Sequence, residues 1–306
     1  MSRHRPSLFW PIVLIGVGLI LLLSNMGVIA GNPWPVVLNL WPVLLIVAGL
    51  DILLGRRTPA GAIVGALLGL ALVAFVLWVL VARPNLPGLN IGSLDLQTVR
   101  LEYPLKDIRS ADVAIDFAGG ENRLYALGDS TQLIDGDLRY YGVLDFRATD
   151  SAGQATVRVN TSFSCFLCSF GGEERWDIGL NSRAEYSLNI DLGSGSSDLD
   201  LSRLSLSSGE IDMGSGSTDV ALPATGRFTL RLQGGSGSLR IQASRDVALR
   251  VEIDRGSGGF HAGSRLRLIS ESSRDNEVYE TEGFGSAGSA ITLIIDGGSG
   301  SITIED

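Results

Sequence analysis

Residues 190–201 read IDLGSGSSDLDL and residues 211–222 read IDMGSGSTDVAL, so one pattern returns after 21 residues. Its Gly-Ser-Gly centre occurs at 193–195, 214–216, 235–237, 256–258 and 298–300, and the last copy stands 42 residues, or two periods, after the fourth. A pattern that keeps a fixed period indicates a stack of repeated units. The unit centred on Glu277 and Val278 has lost the signature but kept the spacing.

The apolar residues keep the same phase and alternate with polar ones, which is typical of half-buried strands. Two columns result, with Arg274 and Gly283 in the irregular unit: Ile190, Ile211, Leu232, Ile253 and Ile295, and Leu199, Val220, Ile241, Ala262 and Ile304. We predict an all-β domain, a right-handed parallel β-helix or solenoid over 187–306, whose 21-residue coils stack about 4.8 Å apart. Residues 21 apart would be vertical neighbours, and the corner glycines would supply a positive φ. Residues 85–186 look strand-like but out of phase, and we expect them to form the β-rich first part and cap of this domain.

The front of the chain is a different domain. Residues 1–84 hold five Arg and a single acid, Asp51, and contain three apolar stretches at about 9–29, 34–54 and 61–82. Each approaches the ~20 residues that a transmembrane helix needs. Arg3 and Arg5 precede the first stretch, and Arg56 and Arg57 follow the second. The positive-inside rule therefore predicts a multi-pass protein with a cytoplasmic amino terminus and an extracytoplasmic β domain.

The net charge excludes one class of partner. The whole chain has 24 basic and 33 acidic residues, and five of the basic residues and one acid belong to 1–84, which leaves 19 and 32 for the remainder. An acidic domain of this kind does not favour binding to a phosphate backbone, so no nucleic acid is expected as a partner. The expected surroundings are a lipid bilayer and the cell envelope.

Four aspartates repeat with the motif, two residues before its first glycine: Asp191, Asp212, Asp254 and Asp296. Stacked carboxylates repel one another. Either they accept backbone N–H groups in turns, or they share Ca²⁺, which prefers oxygen ligands. Turn capping is the favoured interpretation, with calcium as the alternative and no other cofactor expected.

Two further groups of residues are candidate sites. Cys165 and Cys168 are the only cysteines, and outside the cytoplasm a disulfide between them is favoured over a metal site, which would need two more ligands. The alternative is a loop, with its neighbouring Phe residues, that touches lipid or a partner. In the irregular unit, where a break in a repeat often adds binding, the recognition candidates are Arg274, Asp275, Asn276, Glu277 and Tyr279.

Catalytic motifs are lacking. There is a single lysine, Lys106, and the Gly-Ser-Gly motifs do not open helices as phosphate loops do. The interpretation is therefore that the protein is not an enzyme. The aspartate columns leave a polysaccharide-acting β-helix enzyme as a minor alternative.

The sequence resembles a known family in two places. Residues 41–50, WPVLLIVAGL, resemble the transmembrane region of LiaF-like bacterial envelope proteins, and the stretch from Trp176 through the repeats at 191–201 and 211–216 is similar to their carboxy-terminal domain and to toastrack β-helix modules. The resemblance implies a non-enzymatic role in cell-envelope stress, typically through restraint of a membrane histidine kinase. We expect a membrane-anchored sensor or regulator that acts through such a partner or an envelope component, with a homo-oligomer as an open alternative. A structural or adhesive surface solenoid on a plain anchor is the second hypothesis.

Overall fold

A computed structural model describes residues 9–26, 41–54, 59–82, 96–117, 119–162, 174–271 and 276–306. The chain divides into two compact units, one containing the apolar helices and the other the strands. The predicted Cys165–Cys168 disulfide and the recognition candidates Arg274 and Asp275 lie outside the described residues.

The helical unit contains α1 (Phe9–Asn25), α2 (Trp41–Leu54) and α3 (Pro59–Ala82). Helix α3 packs against both of the others. Gly16 of α1 lies so close to Val73 of α3 that a Cβ atom at Gly16 would overlap the valine side chain, so a small residue is needed at this crossing.

Only part of this unit meets the length requirement for a membrane span. Among the described residues, Gly65–Ala82 within α3 is long and apolar enough to cross a membrane, whereas the apolar run Pro11–Asn25 is shorter. Helix α2 has 14 residues. Large apolar side chains remain exposed on all three helices, among them Ile15 at 71%, Ile46 at 64% and Leu67 at 61%.

The β unit contains nineteen strands among the described residues. The first ten are β1 (Gln97–Pro104), β2 (Ser110–Phe117), β3 (Glu121–Leu127), β4 (Gln132–Tyr140), β5 (Val143–Ser151), β6 (Gln154–Ser162), β7 (Arg175–Asn181), β8 (Glu185–Leu192), β9 (Ser196–Asp200) and β10 (Ser205–Asp212). The others are β11 (Thr218–Ala221), β12 (Arg227–Gln233), β13 (Leu239–Gln242), β14 (Ala248–Asp254), β15 (Phe260–His261), β16 (Arg267–Glu271), β17 (Asn276–Glu280), β18 (Ala290–Asp296) and β19 (Ile302–Glu305). A short 3-10 helix, Phe284–Ser286, precedes β18.

These strands form two sheets of mixed but mainly parallel pairing. The nine-stranded sheet has the order β1-β4-β7-β3-β9-β11-β13-β19-β15, and the ten-stranded sheet has the order β16-β17-β14-β18-β12-β10-β8-β2-β6-β5. Alternate residues of the strands other than β16, which is exposed throughout, join one apolar core, in which the Phe117 and Trp176 rings lie 5.6 Å apart. Strands from the out-of-phase residues 97–181 form one end of both sheets. Two of them, β2 and β3, run parallel to both of their neighbours, whereas β6 is parallel to β2 and antiparallel to β5.

The predicted columns exist, but their order differs from the prediction after three units. Ile190 pairs with Ile211, and Ile211 pairs with Leu232, as the 21-residue period predicts. Leu232 then pairs with Ile295, and Ile253 lies on the far side of Ile295. The expectation that Leu232 and Ile253, 21 residues apart, are neighbours is wrong.

The irregular unit explains this exchange of order. Instead of adding a parallel coil, it forms an antiparallel hairpin of β16 and β17, and β17 occupies one edge of β14. The other edge of β14 pairs with β18, the last strand of this sheet in the chain. Strand β18 therefore separates β12 from β14. In the other sheet β19 separates β13 from β15 in the same way.

Candidate functional site

The Gly-Ser-Gly corners stack directly on one another. A Cβ atom at Gly216 would overlap the carbonyl oxygen of Gly195, and a Cβ atom at Gly237 would overlap that of Gly216. In the stack, Gly300 lies next to Gly237, and Gly258 lies next to Gly300. This order is the same as the order of the strands in the sheets. The absence of a side chain is therefore required by backbone approach between coils.

The predicted reason for these glycines was wrong at most positions. Among the glycines of the five motifs, only Gly256 has a positive φ, at 59°. Close approach of a neighbouring backbone accounts for eight of the others: Gly195, Gly214, Gly216, Gly235, Gly237, Gly258, Gly298 and Gly300.

The repeated aspartates lie in one row across the ten-stranded sheet. Asp191 has Asp116 and Asp212 as its register partners. Gln233 follows Asp212 and separates it from Asp296, which pairs with Asp254. The row is therefore split into a group of three carboxylates and a pair.

Burial first, and repulsion between carboxylates second, raise the pKa of two members of the group of three. Burial, and secondly the charge of Asp191, raise the pKa of Asp116. Burial raises the pKa of Asp212, and the charges of Glu210 and Asp191 add to the effect. At the other end, the Asp254 carboxylate accepts a hydrogen bond from the backbone N–H of Gly256 at 3.2 Å, as a turn-capping aspartate does.

Within the described residues, no three His, Cys, Asp or Glu side chains are grouped so that they could hold a metal ion. The Ca²⁺ alternative for Asp191, Asp212, Asp254 and Asp296 stays a prediction, to be tested by adding the ion.

The described recognition candidates lie on β17, and one of them is buried. Asn276 is exposed, whereas Glu277 is 6% exposed. The Glu277 carboxylate accepts hydrogen bonds from the guanidinium group of Arg255 and from the Tyr279 hydroxyl, the latter at 2.6 Å. Burial and the hydrogen bond to Glu277 raise the pKa of Tyr279 to about 12, and its ring lies 5.3 Å from that of Phe260. Glu277 therefore joins the hairpin to the end of the stack.

A charged row on the outer face of the nine-stranded sheet was missed by the sequence analysis. Successive strands place these residues side by side: Arg100, Asp137, Asp177, Arg123, Asp198, Asp219 and Arg240. An arginine thus recurs at every third strand, with two aspartates between. The Arg240 guanidinium lies 3.3 Å from the Asp219 carboxylate, and that of Arg123 lies 3.7 Å from Asp198. The 21-residue spacing of Asp198, Asp219 and Arg240 was the available signal.

This charged row is suited to contact with a polar surface. The adjoining shallow cleft of about 200 Å³ is lined by Asn122, Ser197 and charged side chains of the row. Arg123 and Arg240 pair with aspartates of the row, and Arg100 and Asp177 pair with neighbouring charges outside it. Paired surface ions of this kind offer recognition by charge pattern.

Together, the apolar helical unit and the all-β unit define a membrane-anchored β protein. Residues 9–88 match the LiaF transmembrane domain, and residues 92–242 match the N-terminal domain of toast_rack, DUF2154. The chain is therefore a LiaF-like membrane protein with a toast_rack domain. A comparison with curated proteins gave no match.

Solved structures show a similar β fold. A proposed cell adhesion protein from Clostridium sporogenes ATCC 15579 is 16% identical, with a TM-score of 0.59 over 69% of this chain and 99% of that chain. A proposed adhesin from Bacteroides fragilis NCTC 9343 is 12% identical, with a TM-score of 0.24 over 68% of this chain and 97% of that chain. At such identity the first likeness shows the fold alone, and the second adds nothing to it.

Proposed function

We propose that this protein is a non-enzymatic regulator of the bacterial cell-envelope stress response that acts through a membrane partner, such as a histidine kinase. The observation that carries the proposal is the combination of a LiaF transmembrane domain and a toast_rack domain in one chain.

The proposal includes a topology. Three spans at about 9–29, 34–54 and 61–82 would place Arg3, Arg5, Arg56 and Arg57 in the cytoplasm and the acidic β unit outside it. The parallel connections from β8 to β10 and from β10 to β12 would wind in a right-handed sense, as nearly all such connections do. Outside the cytoplasm, Cys165 and Cys168 would form a disulfide.

Two surfaces would make different contacts. The exposed apolar side chains of α1, α2 and α3 would contact lipid and the helices of the partner. The charged row of the nine-stranded sheet would meet an envelope ligand or the outer domain of the partner, where charge pattern gives specificity.

The test replaces residues 1–84 by an unrelated three-span anchor with the same topology. We expect a reporter of the envelope stress response to lose its regulation, while the amount of protein in the membrane is unchanged. Cross-linking in intact cells, followed by identification of the captured protein, should recover a sensor kinase with the native helices and not with the replacement. An unaltered reporter would contradict a role through the helices.

A structural or adhesive surface module is the second candidate, and the likeness to the Clostridium sporogenes protein favours it. This module would keep its effect on any anchor. Adhesion that survives the anchor replacement and is lost when the β unit is deleted would support it over the regulator.

A further inference from the structure

The same end of the β unit carries two edge strands, β1 in the nine-stranded sheet and β5 in the ten-stranded sheet. They face each other across the core and run in the same direction. Near their starts, the Gln97 side chain donates a hydrogen bond to the carbonyl oxygen of Gly142 at 3.1 Å, and near their ends the Tyr103 hydroxyl donates one to Asp150. The middle of β1, at Arg100 and Leu101, is therefore opposite the middle of β5, at Phe146.

Among the residues that the structure describes, nothing fully covers the core at either edge. Leu144, Phe146 and Ala148 of β5, with Val99 and Tyr103 of β1, pack on the core but are only partly buried. The pairing of β5 with β6 has no register shift along its whole length. The other edge of β5 therefore presents a regular row of backbone N–H and C=O groups. The pairing of β1 with β4 shifts only at its end, between Tyr103 and Pro104. By contrast, β16, at the opposite end of the ten-stranded sheet, has an irregularity in its middle, at Ile269, and β15 contains two residues. Irregular or very short strands discourage edge pairing.

The charges on both edges are self-complementary. On β5, Asp145 and Arg147 flank Phe146, and on β1, Arg100 and Glu102 flank Leu101. If a second β5 were paired in antiparallel fashion about Phe146, Asp145 of one copy would oppose Arg147 of the other. Pairing of β1 about Leu101 would likewise oppose Arg100 and Glu102.

We propose that two copies of this chain pair end to end through β1 and β5, about one two-fold axis that passes near Leu101 and Phe146. Both sheets continue from one copy into the other, and the partly buried core residues at each edge become covered. Because both copies are anchored in one membrane, their high effective concentration favours a contact of this modest length.

Cysteine cross-linking of the full-length protein in membranes tests the geometry, in a background with Cys165→Ser and Cys168→Ser. Phe146→Cys should form a disulfide-linked homodimer, since residues opposed across antiparallel strands are within disulfide reach. Val143→Cys alone should not, because Thr149 of the second copy is its opposed residue and the two Val143 positions are about 20 Å apart. The double variant Val143→Cys/Thr149→Cys should link again, and it serves as the test if Phe146→Cys does not fold.

Charge reversal separates a specific pairing from chance collision. Asp145→Arg and Arg147→Asp should each lower the dimer yield severalfold, and the double variant with both changes should restore it. Ile269→Cys on β16 is the control, and it should give monomer. Equal yields from Val143→Cys and Phe146→Cys, a dimer through Ile269→Cys, or capture of a different protein at Phe146→Cys would each overturn the proposal.

Discussion

Arg255 donates a hydrogen bond to the carboxylate of Glu277, which belongs to a unit that lacks the repeat signature. The Glu277 side chain is 7% exposed and that of Arg255 is 33% exposed. Arg255 lies between β14 and β15, at the last Gly-Ser-Gly corner of the stack, and Glu277 lies on β17. This ion pair therefore connects the hairpin to the corner and assigns Glu277 a structural role.

Replacement of Glu277 should destabilise the β unit. Glu277→Ala removes the acceptor of both Arg255 and the Tyr279 hydroxyl in a buried setting, and we expect a loss of about 1–3 kcal/mol in the free energy of unfolding. Urea unfolding of the full-length protein in detergent measures the loss. Glu282→Ala is the control, because Glu282 is 88% exposed and its carboxylate lies 3.9 Å from Arg267. Equal stability of the two variants would contradict this role.

The order of the strands can be tested with pairs of cysteines on the outer face of the ten-stranded sheet. Thr229 of β12 pairs with Thr292 of β18, and Thr292 pairs with Arg250 of β14. With the native cysteines replaced by serine, Thr229→Cys/Thr292→Cys and Arg250→Cys/Thr292→Cys should form disulfides. Thr229→Cys/Arg250→Cys should not, although these residues are 21 apart. Mass spectrometry of non-reduced peptides identifies the disulfides. A disulfide in the third variant would contradict this strand order and support coils stacked in the order of the chain.

The sequence correctly predicted which residues share a column, but the predicted order of the residues within the column was wrong after the third residue. Ile190, Ile211 and Leu232 share a column because each keeps the phase of its coil, and Ile295 keeps the same phase. The position of a residue within the repeat decides which column it joins. Any strand whose apolar residues hold that position can pair with any other such strand. The choice between Ile253 and Ile295 as the neighbour of Leu232 depended on the hairpin, whose pairing no periodic signal specified.

The candidate sites show the same limit. The aspartate row was visible because its members belong to the repeats, and the structure adds Asp116 from the out-of-phase part. In the charged row, Arg100, Asp137 and Asp177 also belong to the out-of-phase part. Their positions follow from antiparallel pairing between strands far apart in the chain, which local sequence does not determine. Burial of Glu277 was missed because a charged residue in an irregular unit is ordinarily exposed.

Replacement of glycine by alanine should have very different effects on stability at a stacked corner, Gly216, and at an open position, Gly259. Gly216→Ala would place its Cβ against the Gly195 carbonyl oxygen in the adjacent coil, and the strands on either side of both corners are paired with each other. We expect a loss of more than about 3 kcal/mol, or failure to fold, as for overpacking with backbone displacement. Gly259→Ala has open space at the Cβ position and should change stability by less than about 1 kcal/mol. Thermal unfolding followed by circular dichroism compares them, and similar midpoints would show that the corners are not in contact.

The titration of Asp212 gives a prediction about pH and metal. Its pKa is raised above the ordinary 3.8 by burial and by the charges of Glu210 and Asp191. The protonated form is therefore favoured in the folded state, so this stabilisation is complete below pH 3.8 and is lost as the pH rises through the raised pKa. Asp212→Asn keeps the size of the side chain without its charge. It should be more stable than the wild type at pH 7, by less than about 1 kcal/mol because the site is partly exposed, and the advantage should vanish near pH 3.

Urea unfolding of the full-length protein at both pH values, with and without millimolar calcium chloride, separates the two interpretations of the row. Turn capping predicts no response of the midpoint to calcium in either protein. A rise with calcium in the wild type that Asp212→Asn abolishes would support a shared ion, since a cation between Asp191 and Asp212 would turn their repulsion into coordination. Asp129→Asn, at an exposed turn, is the control for a change of net charge. An equal gain in stability from that variant at pH 7 would mean that general charge, and not proximity within the row, causes the effect.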